Sequence, residues 1–136
     1  MEMVLKLLGR APTSYYDLQS AWQNRGCGGF VDFDRKTFAG VTFHLQFALP
    51  STPDFPLDAL FDTIHRELEA GRFVIASLAN SGGWHMWVIY DETVEGEFLA
   101  MSKDGRRTLL EPRAKEAIRK MQGTHICTYE FPTSPL

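Results

Sequence analysis

Cysteine is nearly absent: only Cys27 and Cys127 occur in 136 residues. That is too few for the disulfide framework by which small secreted domains replace a large core. One bridge between them stays open on sequence alone, but the expectation is a reduced pair in a cytoplasmic protein. Long apolar runs are missing too. Stretches such as Phe73-Val74-Ile75-Ala76 fall far short of the twenty or so residues a membrane-spanning helix needs. No secretory signal is expected, because Glu2 and Lys6 interrupt the first residues and no small-residue cleavage site follows. A surplus of positive charge is also lacking: the formal net charge is -3, and no Lys/Arg cluster offers a footprint for nucleic acid. Four histidines, His44, His65, His85 and His125, show no paired spacing, so neither a zinc motif nor any other cofactor site is expected. Repeats and low-complexity segments are absent as well.

What remains is a chain with 44% hydrophobic and 23% charged residues, long enough for one domain with a real core. Met1 to Leu8 is built of helix formers and ends at Gly9, and it is so apolar that it reads as part of a buried helix. Thr13-Ser14 offers a cap for a helix over roughly Tyr15 to Asn24. Cys27 to Phe30 reads as a loop, and Phe30 to Phe38 as a partly exposed connection. Val41 to Phe47 alternates, which predicts a strand with Val41, Phe43, Leu45 and Phe47 inward and His44 outward. Three prolines make Pro50 to Pro56 a loop. From Leu57 to Ala70 the apolar residues Leu57, Leu60, Phe61, Ile64 and Leu68 keep helical spacing, with His65 on the solvated polar face. Strands follow at Phe73 to Leu78, Trp84 to Tyr90 and Glu97 to Ser102, with a short fourth at Arg107 to Leu110. Glu111-Pro112 opens a helix with Ala114, Ala117, Ile118 and Met121 as its buried stripe, and Thr124 to Phe131 makes a closing strand. Helices followed by an antiparallel sheet define an α+β domain.

The stretch that concentrates chemistry is Gly82-Gly83-Trp84-His85-Met86-Trp87-Val88-Ile89-Tyr90-Asp91. Alternation sets Trp84, Met86, Val88 and Tyr90 on one face and His85, Trp87 and Ile89 on the other, the pattern of a strand buried on both sides. A rigid strand fixes the imidazole while the glycines leave room beside it, which suits a general base. A core histidine satisfied by a backbone carbonyl fits the same residues.

Together with Leu68-Glu69-Ala70-Gly71-Arg72-Phe73-Val74-Ile75, this stretch resembles the second half of papain-like cysteine peptidases. The likeness is to the bacterial branch that includes bacteriocin-leader peptidases. The resemblance implies a papain-like α+β fold, N-terminal helices packed on an antiparallel sheet, and a peptide or protein substrate. In that family the catalytic cysteine opens the first helix, about two turns before a run like Met3 to Gly9. The nucleophile is thus expected before Met1, as in an N-terminally truncated domain. A thiolate nucleophile needs a helix N-terminus or a cationic neighbour. Cys27 is the only substitute and is followed by glycines rather than a helix, whereas Cys127 reads as a small core residue. The resemblance makes His85 the general base. It seeks the residue that orients His85 in Phe98 to Gly105, where Asp104 is the nearest carboxylate and strict register favours Ser102. Asp104-Gly105 also reads as an ordinary turn. Two functions are therefore expected in competition. One is a cysteine peptidase-like hydrolase domain, inactive in this chain as a pseudoenzyme. The other is a non-catalytic binding or regulatory module on the peptidase fold, which recognises extended peptides beside a sheet edge. An apolar first helix lacking its N-terminal turns would further favour a homodimer.

Overall fold

The computed structural model describes residue 4 and residues 34–35, 37–38, 40–80, 83–104 and 107–131. Seven strands form one sheet: β1 (Thr37–Phe38), β2 (Val41–Gln46), β3 (Val74–Asn80), β4 (Gly83–Glu92), β5 (Phe98–Asp104), β6 (Arg107–Glu111) and β7 (Ile126–Glu130). Two helices are described, α1 (Leu57–Glu69) between β2 and β3 and α2 (Ala114–Lys120) between β6 and β7. The strand order is β1-β2-β7-β3-β4-β5-β6, and every pairing is antiparallel. The architecture is α+β.

Period-two alternation divides the sheet into two faces. On one face Val74, Ala76, Leu78, Trp87, Ile89, Phe98, Ala100 and Ile126 form a core with Leu60 and Ile64 of α1 and Ala114 and Ile118 of α2. On the other face Val41, Phe43, Ile75, Val88, Cys127 and Tyr129 cluster with Val4. Covering both faces explains why β3 and β4 carry apolar residues at consecutive positions, as expected of the strand around Trp87.

α1 forms where the apolar spacing demands it. Leu60 and Ile64 are fully buried, with Leu57, Phe61 and Leu68 packed alongside; each fully buried aliphatic side chain contributes roughly 1.5–3 kcal/mol. Its end is set by Gly71 at φ +81, across which the Arg72 N–H donates to the Glu67 carbonyl, the left-handed closure that glycine favours. α2 starts later than Glu111-Pro112 suggests, because Glu111 is taken by β6 opposite Ala100. A larger departure is Phe47. It was expected to point inward with Val41 and Phe43, but β2 ends at Gln46 and Phe47 takes a positive φ of 59. That twist carries its ring to the helix-covered core, 6.4 Å from the Phe55 ring.

The segment read as a connection contains the short strand β1, paired to β2 through Thr37 opposite Thr42 and Phe38 opposite Val41. Both of these helices, α1 and α2, lie between strands of the sheet. Of the expected first helix only Val4 is described; it is helical and fully buried. The expected helix over Tyr15 to Asn24 and the loop containing Cys27 lie outside the described residues. No helix among the described residues is long and apolar enough to cross a membrane.

Candidate functional site

His85 is held in β4 directly opposite Leu78 of β3. Leu78 belongs to the face covered by α1 and α2, whereas Val4 packs on the opposite face. Asp104 is the last residue of β5 and faces Arg107 of β6. The side chains of His85 and Asp104 lie outside the described ones, so their relationship rests on the backbone. β4 and β5 are adjacent and antiparallel, with Val88 opposite Met101. Counting three residues outward from that pair along each strand leads to His85 and Asp104.

Ser102, the alternative orienting residue, is committed elsewhere. It is buried, and its hydroxyl donates to the Met86 carbonyl at 2.8 Å. This bond ties β5 to β4 one step beyond the Val88 pair and leaves the Ser102 hydroxyl proton engaged with backbone. Cys127 sits in the middle of β7, opposite Leu45 on one side and Ile75 on the other, with no exposure. Burial pushes its thiol up to about 12, the opposite of what a nucleophile requires. It also lies on the face away from Leu78.

A hydroxyl and an imidazole meet where β7 begins. Ser77 Oγ and His125 Nε2 are 3.1 Å apart, and Thr124 donates its hydroxyl to the Ser77 carbonyl. Burial holds His125 below its ordinary pKa, so its neutral form is favoured. Ser77 is 7% exposed, inside a strand paired on both edges, and this arrangement locks β3 to the approach of β7.

His65 keeps the partly exposed place on the polar face expected of it, and there it sits between two carboxylates: Nδ1 bonds Glu92 at the end of β4, and Nε2 bonds Glu69 one turn along α1 at 2.9 Å. Ionised carboxylates only accept, so this geometry favours the imidazolium, in which both ring nitrogens donate. The hydrogen bond to Glu92, followed by that residue's charge, raises the His65 pKa above 6.5. Glu92 also draws Lys115 of α2, with Nζ 3.8 Å from Oε1. Lys115 in turn lies over the Phe98 ring at 4.5 Å, a cation–π contact. The helical spacing of His65 and Glu69 was visible in sequence; the partner from β4 was not.

No family model, no curated protein and no solved structure matches this chain.

Proposed function

We propose that the chain is a peptidase-like domain that holds an extended peptide by strand addition at β6 without cutting it. The peptidase-like part of this reading rests on the resemblance around Gly83 to Asp91. The binding mode rests on one observation. β6 is the terminal strand of the sheet, pairs only with β5 among the described residues, and contains neither glycine nor proline. Its Leu110 is 68% exposed. An open edge with an exposed aliphatic residue supplies main-chain hydrogen bonds for affinity and a side-chain contact for selectivity. Absence of cutting is supported by the Cys127 thiol, which burial keeps protonated, and by the position of Val4 on the face away from Leu78.

The adjacency of β4 and β5 favours a second reading, in which Asp104 orients His85 as the general base of a cysteine peptidase-like hydrolase. One experiment separates the two. A displayed decapeptide library of mixed sequence is panned against the chain, and enriched peptides are added to labelled protein. Binding at β6 shifts and protects the amides of Arg107–Glu111, leaves the peptides intact, and is lost in Leu110→Lys. Cleavage that disappears in His85→Ala and falls in Asp104→Asn would establish the hydrolase instead. Failure to enrich any peptide, or amide shifts confined elsewhere, would remove the β6 reading.

A further inference from the structure

A cleft of about 620 Å³ opens between α1 and α2 at the end of β4. Its two walls carry opposite charges. α1 contributes Asp58 and Asp62, one helical turn apart, and α2 contributes Lys115 and Arg119, also one turn apart. Phe61 lies between them, with Lys115 Nζ 5.4 Å and the Arg119 guanidinium 5.5 Å from its ring centre.

Among the described residues no ion pair joins Asp58 or Asp62 to Lys115 or Arg119, although Glu92 at the floor bonds His65 of α1 and draws Lys115 of α2. Asp62 turns to Arg66 of its own helix at 3.9 Å, and Arg119 turns to Glu116 of its own helix at 3.3 Å. Lys115 is drawn to Glu92 on the sheet, and Asp58 has no ion pair among the described residues. Acids on α1 that do not reach the bases on α2 leave room for a molecule carrying both charges. A dianion would meet Asp58 and Asp62, and a dication would meet Lys115 and Arg119. The acids are not a metal site, since no group of three His, Cys, Asp or Glu among the described residues could hold an ion. The volume is in the range of small-molecule sites, roughly 300–1,000 Å³.

We infer that this cleft binds a small zwitterion of the amino-acid or dipeptide class, with its ammonium on Asp58 and Asp62, its carboxylate on Arg119 and Lys115, and its apolar part against Phe61. The guanidinium of Arg119 suits a carboxylate because its N–H groups match the two oxygens. The site is distinct from the β6 edge, since its lining comes from α1, α2 and Glu92 of β4.

Dipeptide titrations followed by amide shifts test the assignment. Ala-Leu, N-acetyl-Ala-Leu and Ala-Leu amide are compared on the intact chain. Ala-Leu shifts residues around Phe61, His65 and Arg119 at millimolar concentration, and each blocked form binds about tenfold more weakly, the loss expected for one charge-assisted contact. The double variant Asp58→Asn/Asp62→Asn abolishes the preference for a free amine, and Arg119→Gln abolishes the preference for a free carboxylate. These three side chains are exposed, so folding survives the changes, and Leu110→Lys leaves the titration unaltered. The assignment is overturned if Ala-Leu causes no shift at 10 mM (roughly the weak limit of a specific small-molecule contact). Equal binding of the blocked forms, or preferences that persist in the variants, would overturn it as well.

Discussion

His65 on α1 donates through Nδ1 to Glu92 on β4. Beside the buried contacts of Leu60 and Ile64, this side chain adds a polar link from helix to sheet that is strongest while the ring is protonated. Its folded pKa lies above 6.5, so the folded state binds the proton more tightly than the unfolded chain. The resulting stability is fully present below about pH 6.5 and is lost as pH rises through the folded pKa. Thermal melts of the wild type and His65→Gln should differ most at pH 6 and converge by pH 8.5. A gap that widened with pH would mean that the imidazolium is not what joins α1 to β4.

His125 works in the opposite sense. Burial lowers its pKa, so the unfolded chain binds its proton more readily, and stability falls as pH drops below about 6.5 toward the folded value. In the His65→Gln background the opposing contribution of His65 is removed. Chemical denaturation midpoints should therefore decline between pH 7 and pH 5.5. The His125 ring signals should titrate below pH 6.5 by NMR.

Gly123 admits no side chain. It lies at φ +101, and an added Cβ would come within 2.2 Å of the Phe55 ring. Gly123→Ala combines backbone strain with overpacking, and a loss of roughly 2–4 kcal/mol is expected from urea unfolding. Phe55→Leu should recover part of that loss by vacating the ring's space. Gly71→Ala, with open space around the site, should cost less because only the strain applies.

Cys127 should be almost inert in the folded protein. Its thiol is raised from 9.0 to about 12, which lowers the thiolate fraction about a thousandfold at neutral pH. Burial blocks reagents as well. Alkylation by iodoacetamide at pH 8, followed by peptide mass spectrometry, should modify Cys127 only after denaturant is added. Rapid labelling of the native chain would show that β7 opens or that the thiol is activated.

The elements were most legible where the local pattern and the burial agree. Leu57, Leu60, Phe61, Ile64 and Leu68 announce α1 because one helical stripe meets one core, and the strands from Val74 to Glu111 show in their alternation. Phe47 was misread because its alternation continues on paper while the backbone turns into positive φ, a choice made by the distant Phe55 ring. The pairing of β4 with β5, the strands that carry His85 and Asp104, could be anticipated from successive hairpins. The His65–Glu92 contact could not, since it joins residues 27 positions apart across a helix and a strand whose mutual placement is a tertiary property. The position of β7 was equally hidden, because nothing in Ile126–Glu130 names its neighbours.

β7 has a consequence for the order in which the molecule can be made. Among the described residues β2 pairs with β1 and β7, and β3 pairs with β4 and β7. No ladder joins β2 to β3, so β7 is the seam of the sheet. On the ribosome, the hairpins from β3 to β6 can close as they emerge, since their contacts are near in sequence. Residues 126–130 are translated after all of them, and until they arrive two inner edges, one on β2 and one on β3, stand open to the wrong partner. Nascent chains halted short of β7 should therefore recruit chaperones and aggregate, while chains extended past it should become protease-resistant in a single step.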